Sequence, residues 1–238
     1  MSGLVVLPDA ESVTSTGADC FVALAGDAVA DRGRFVVALA GGSTPKPLYA
    51  RLSEPPLVNS VDWVRVQFFW GDERNVPPSH PDSNFRTTRR VLLDRVSIPA
   101  ENIHRIQGEL EPHEAAARYR LELQRVLGGG GCFDLIILGM GPDGHTASLF
   151  PDAAVLDEQE RSFVAVYVEK LDSWRLTLTL PAINAARHVL FLVSGESKAE
   201  ALSRVRSGER LPAGMVQPVE GDLTWLVDSE AAAGLVDG

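Results

Sequence analysis

This chain predicts an α/β fold with a largely parallel central sheet flanked by helices. Three observations point there. Short β-branched runs alternate with amphipathic stretches from end to end. Phe35 to Ala40 and Phe133 to Leu138 are continuous apolar runs, the kind a parallel sheet buries on both faces. Several of these runs exit through glycine-rich turns into new helical patterns. The length of 238 residues suits one domain spanning 1–238, and 45% hydrophobic against 23% charged residues is enough for a true core.

The elements follow in order. Leu4 to Leu7 reads as a first strand, and Asp9 to Arg32 carries helical spacing that stops at Gly33. Phe35 to Ala40 is the next strand; Gly41-Gly42-Ser43-Thr44-Pro45 then opens a helix with Thr44 as N-cap and Pro45 as first helical residue. Val64 to Trp70 is a strand followed by a polar, Pro-rich loop from Gly71 to Pro81. Ser83 caps a helix running to about Val96, and Ile103 to Ile106 reads as a short strand. Pro112 to Leu127 is a helix ended by glycines 128 to 131, and Phe133 to Leu138 is the clearest buried strand. Phe163 to Val168 and Arg175 to Leu180 are strands, the second alternating leucine with threonine as a half-buried strand does. An antiparallel edge or small lobe is expected around residues 163 to 180. Pro181 opens a short helix, His188 to Val193 is a strand, and Gly195 precedes a helix over Glu196 to Arg206. Leu223 to Val227 and a short Ala-rich helix complete the pattern, with no internal repeat.

Composition removes several functions. A formal net charge of -10 argues against nucleic acid or an anionic membrane as partner, since both need a basic face. It leaves room for a small anion, because a few convergent donors make a positive pocket inside an acidic protein. Cys20 and Cys132 form neither a disulfide framework nor a metal ligand set, so a reducing cytoplasm is expected. Met1 to Pro8 has no basic region before its apolar stretch, and no run approaches the roughly 18 apolar residues of a membrane span. The five histidines are scattered without zinc-ligand spacing, and no serine-hydrolase elbow occurs. Neither a metal nor a cofactor is called for.

Three loops leave strand ends carrying polar residues: 41 to 44, 71 to 74 and 139 to 145. Parallel strands would put all three on one rim, where open α/β sheets bind ligands. Gly41, Gly42, Ser43 and Thr44 suit phosphate, because glycines let N–H groups approach an anion and the helix start adds donors; a bare tight turn is the alternative. The Walker and dinucleotide spacings are absent. Arg74 suits a carboxylate or developing oxyanion, with Asp72 orienting it or holding a substrate hydroxyl; a solvated, salt-bridged loop is the alternative. His80, Ser83 and Asn84 follow in the same stretch. His145 has the chemistry to take a proton from water and return it, and Asp143 fixes its tautomer if the turn folds back; a structural histidine is the competing reading. Lys198, at another strand exit, and Arg175, at a strand start, are basic candidates for a phosphate.

Five blocks resemble the signatures of 6-phosphogluconolactonases. They are Ala40 to Pro45, Trp70 to Arg74 with Ser83-Asn84, Gly139 to Pro151, Arg175 to Thr179, and Gly195 to Lys198, in the expected order across about residues 35 to 205. The resemblance implies a modified Rossmann-like fold shared with glucosamine-6-phosphate deaminases. It implies hydrolysis of a phosphorylated sugar lactone in the pentose phosphate pathway, with His145 as base and Arg74 near the substrate. The glycine-rich block, Lys198 and Arg175 fall at the phosphate end by analogy. The deaminases continue their Asp-Gly-His block with Ile-Ala-Phe-Asn-Glu, whereas Thr146-Ala147-Ser148-Leu149-Phe150 follows here. A deaminase or isomerase of the same fold, or a non-catalytic sugar-phosphate sensor, are the rival readings. A monomer or weak homo-oligomer is expected.

Overall fold

The computed structural model describes residues 3–128 and 131–235. The readings that touch Met1, Ser2, Gly129 and Gly130 therefore lie outside the described residues. The ordered elements are β1 (Gly3–Leu7), α1 (Ala10–Arg32), β2 (Phe35–Leu39), α2 (Pro45–Leu52), β3 (Val66–Trp70), β4 (Asp72–Arg74), α3 (Asn84–Val91), α4 (Pro112–Leu127), β5 (Leu135–Gly139), β6 (Phe163–Val168), β7 (Ser173–Leu178), α5 (Leu180–Asn184), β8 (His188–Val193), α6 (Ala199–Arg206) and β9 (Asp222–Asp228).

Six strands form one parallel sheet in the order β1-β9-β8-β5-β2-β3. Strand β2 pairs with β3 on one side and β5 on the other, so the strand order reverses between β2 and β5. Ligands of open α/β sheets bind at such a reversal, beyond the carboxyl ends of the strands. Every residue of β2 is buried, as its unbroken apolar run predicts. A second sheet, β4-β7-β6, is antiparallel throughout and supplies the small lobe expected around residues 163 to 180.

Gly71 alone separates β3 from β4, and its backbone ties the two sheets together. Its N–H donates to Leu39 O at 2.9 Å, and its carbonyl accepts from Leu178 N at 2.8 Å. Helix α1 starts at Asp9, whose carboxylate accepts from Ser12 N, and stops where Gly33 turns left-handed at φ 72. Its buried side Val13, Gly17, Phe21, Ala25 and Ala28 recurs every turn and packs on β2, β8 and β9. Helix α4 packs against β6 and β7, while its Tyr119 hydroxyl joins both the N–H and the C=O of Trp70 at 2.8 and 3.1 Å.

The structure corrects several elements. Thr44 has helical backbone angles, φ -70 and ψ -45, so its hydroxyl makes no cap bond, which an extended N-cap residue would. Trp63–Arg65 is a 3-10 turn, and β3 begins at Val66 rather than Val64. Helix α3 ends at Val91, and a 3-10 turn over Leu93–Arg95 takes up the rest of the expected helix. Ile103 makes a single bridge to Phe68 rather than starting a strand, because the chain leaves the sheet edge at once. Residues 71 to 74 are partly β4 and not all loop. Strand β7 runs from Ser173 to Leu178 rather than from Arg175 to Leu180, and Thr177 and Thr179 are as buried as Leu178 between them, since Thr177 meets the loop after β5.

Candidate active site

At the carboxyl ends of β2 and β5 a cavity of about 360 Å³ opens. Gly41, Gly42, Ser43, Thr44, Asp72, Arg74, Asn84, His145 and Lys198 all line it, together with Met140, Pro142, Ala147, Ser194 and Ser197. The three loops expected to share a rim do share it. A cleft of about 810 Å³ lies at the amino ends of β5 and β8, beside Cys132 and Arg187, but its lining contains no histidine and no glycine turn.

The turn after β5 is built around His145. Gly141 N donates to His145 O at 2.8 Å and Gly144 N to Gly141 O at 3.0 Å, closing the loop. Gly144 takes φ 79, which a side chain resists. Gly141 is glycine for space: an added Cβ would sit 2.0 Å from His145 Nδ1. The fold-back brings Asp143 Oδ1 to 2.5 Å from His145 Nδ1 and 3.2 Å from His145 N. Partial burial works against ionisation of Asp143, yet hydrogen bonds from Lys170 and His145 outweigh it and hold the carboxyl well below its ordinary range. An ionised carboxylate only accepts, so Nδ1 carries a proton, and in the neutral ring the lone pair falls on Nε2. Nε2 has no hydrogen-bond partner among the described residues.

The wall formed by β4 and α3 rests on buried polar groups. Asp72 accepts from Ser148 Oγ at 2.7 Å and from Asn84 Nδ2 at 3.3 Å. It therefore braces the wall and makes no bond to Arg74. Arg74 donates to the Asp82 carbonyl and still faces the cavity. Glu73 points away from the cavity and is buried, accepting from Arg74 N, Ser83 Oγ, Asn84 N and Phe85 N at 2.8, 3.0, 2.8 and 2.9 Å. Burial pushes its carboxyl above the ordinary value, against the pull of those N–H groups. Ser83 caps α3 as expected, accepting from Arg86 N.

On the anion side, Gly42 adopts φ 97 with open space where a Cβ would be, leaving its backbone exposed to a ligand. Lys198 lines the same cavity, at the junction of a 3-10 turn and α6; partial burial lowers its pKa, opposed by the charge of Asp143. Arg175 does not line the cavity. It lies across the β4–β7 ladder from Arg74, donating to Ser173 Oγ at 2.6 Å and Trp174 O at 3.2 Å, with its pKa lowered by burial and then by Arg74. His80 is half-exposed beside Asp82 and stays outside. Asp143 reaches the cavity through His145.

Sequence reading missed Ser148, Ser194, Ser197 and Lys170. Ser148 lay inside the block after His145, but a serine carries no signal of its own until Asp72 is placed beside it. Among the described residues no group of His, Cys, Asp or Glu is arranged to hold a metal ion, and no helix is long and apolar enough to cross a membrane.

Comparison with known proteins bears on this cavity. The family described as glucosamine-6-phosphate isomerases/6-phosphogluconolactonase matches residues 8–225. A 6-phosphogluconolactonase of Aggregatibacter actinomycetemcomitans is 42% identical over 200 residues, 82% of this chain and 85% of that protein. One from Nostoc is 41% identical over 239 residues, 97% of each chain. The crystal structure of 6-phosphogluconolactonase from Thermotoga maritima superposes with a TM-score of 0.85 at 31% identity, covering 96% of this chain and all of that one.

Proposed function

Because the chain belongs to the family of glucosamine-6-phosphate isomerases and 6-phosphogluconolactonases, we propose that its cavity hydrolyses 6-phosphoglucono-1,5-lactone to 6-phosphogluconate through a water activated by His145. One observation carries the mechanism: a free imidazole nitrogen, fixed in orientation by Asp143, shares a cavity with a glycine turn, Arg74 and Lys198.

The 6-phosphate sits on Gly41, Gly42, Ser43 and Thr44 with Lys198, and Arg175, paired with Arg74 across the β4–β7 ladder but outside the cavity lining, adds positive charge from a distance. Nε2 of His145 takes a proton from water as the water oxygen attacks the lactone carbonyl carbon. Arg74, which has donors to spare beyond its bond to Asp82, faces the tetrahedral oxyanion. When the intermediate collapses, the bond from the carbonyl carbon to the ring oxygen breaks, and Nε2 returns its proton to that oxygen. Asp143 balances the imidazolium charge while it lasts. Asp72 and Asn84 keep the wall in register, with Asn84 facing a sugar hydroxyl. A six-membered lactone is an activated ester, so about 10²–10⁴-fold from base catalysis plus positioning accounts for useful turnover. No cofactor or metal enters any step.

The test is direct. Freshly made 6-phosphogluconolactone, followed by stopped flow or NMR against its spontaneous opening, should open faster with the protein. Ammonia release from glucosamine 6-phosphate should stay at background. The opposite pattern would move the protein to the deaminase branch, and tight 6-phosphogluconate binding without turnover would make it a sensor. We further infer a cytoplasmic protein with no nucleic-acid partner, a monomer or weak homo-oligomer; two free cysteines and a net charge of -10 support that reading, and light scattering checks the last part.

A further inference from the structure

The Asp143 carboxylate has a second partner that the mechanism above leaves unused. Lys170 sits in the 3-10 turn Glu169–Leu171 that joins β6 to β7, a turn closed by Asp172 N donating to Glu169 O and by the left-handed Asp172 at φ 45. Its Nζ forms an ion pair with Asp143 Oδ2, while Asp143 Oδ1 takes His145 Nδ1. The same Nζ lies 4.2 Å from the centroid of the Phe150 ring, and Phe150 in turn packs 4.4 Å from the His145 ring. Four groups drawn from the loop after β5 and the β6–β7 turn thus close into one circuit: ammonium, carboxylate, imidazole and phenyl.

A carboxylate alone against Nδ1 stabilises the imidazolium and so favours a protonated ring, which is useless as a base. An ammonium on the other carboxylate oxygen offsets part of that negative charge. We propose that Lys170 is a positioning residue for His145: by sharing Asp143, it holds the carboxylate and the ring in place and offsets part of the negative charge that Nδ1 faces. This rests on the reading of His145 as the base. The other charged groups around the ring are Lys198 and Arg74 on the cavity wall, and Asp72, whose carboxylate is engaged by Ser148. Lys170 comes from the turn between β6 and β7, so the antiparallel lobe reaches the site at a second point besides Asp72 and Arg74 of β4.

The experiment compares wild type with Lys170→Met, Lys170→Gln and Lys170→Arg. Two readouts are followed across pH: kcat/KM on the lactone, and the NMR titration of the His145 ring without substrate. In the two neutral variants the acid limb of kcat/KM moves up by about 0.5–1 pH unit. The accompanying loss is about three- to tenfold below the limb and shrinks as pH rises; the ring titration moves the same way, and Lys170→Arg restores both. An unmoved limb and ring titration would overturn the proposal, as would a loss of equal size at every pH, which marks a merely structural turn. Should the wild type fail to open the lactone, the proposed function falls, yet the ring titration still decides the role of Lys170.

Discussion

At Gly41 the chain leaves no room for a side chain: an added Cβ would lie 1.8 Å from Asn84 Oδ1. Asn84 is the residue that holds both the carbonyl and the carboxylate of Asp72, so Gly41→Ala must push the wall of the cavity out of register. We expect a stability loss of about 1–3 kcal/mol from the overpacking, and a drop in kcat/KM larger than that seen for Gly42→Ala. At Gly42 a Cβ meets open space and only the left-handed φ resists it, so comparing the two variants by melting and by kinetics separates crowding from strain. His145→Ala is a different case. The ring is partly exposed and packs lightly on Phe150, so its loss should leave folding intact while lowering kcat by about 10²–10⁴ with little change in KM. Turnover near that of wild type would remove His145 from the role of base.

Among the elements, the short pair β4 and α3 depends most on a single side chain. Glu73 accepts three backbone N–H groups and the Ser83 hydroxyl, which ties the strand to the first turn of the helix. Glu73→Gln keeps the shape but turns an amide NH₂ toward donors, so it should destabilise by about 2–4 kcal/mol, read as a lower urea midpoint. If Glu73→Gln unfolds with the wild-type midpoint, this bracing is dispensable. The sequence showed much of this architecture and little of this joint, for reasons that differ by element. Strands β2 and β5 were legible because burial on both faces demands unbroken apolar runs, and α1 because its buried side repeats every turn between Asp9 and Gly33. Strand β4 was not, since three charged residues show no period and its strand character comes from pairing with β7, remote in sequence. Ile103 to Ile106 erred the other way, being apolar enough for a strand that the sheet edge does not accept. In the site, glycine turns and His145 announced themselves through motif. Lys170 could not, because a lysine in a surface turn looks the same whether or not a carboxylate from another sheet meets it.

For the molecule as a whole, pH acts through groups whose titration the fold has moved. Burial lowers the pKa of His104 below its ordinary 6.5, against the opposing pull of Glu122; its Nδ1 lies 2.6 Å from Glu122 Oε1 and its Nε2 2.7 Å from Gln67 Oε1. Burial likewise lowers His188. A histidine depressed in the folded state stabilises above its unfolded pKa, and that stability is lost as pH falls through the folded value. Carboxylates with depressed values follow the same sign lower down. The Arg125 hydrogen bond brings Glu122 to about 2, and Asp143 is depressed further, so their contribution is present above the ordinary carboxylate range and disappears below it. Glu73 runs opposite: with its pKa raised by burial, it favours the fold more as it protonates. Net charge repulsion is not the driver, because a chain at -10 moves toward neutrality as pH first drops. Stability should therefore be level near pH 7–8, decline below about 6.5 as the two histidines are forced to charge, and fall again below about 4. His104→Asn isolates the first step: it is less stable than wild type at pH 7, having lost its bonds to Glu122 and Gln67, but its melting temperature should fall less between about pH 6.5 and 5. A variant that loses stability as steeply as wild type across that window would shift the histidine part of the decline to His188.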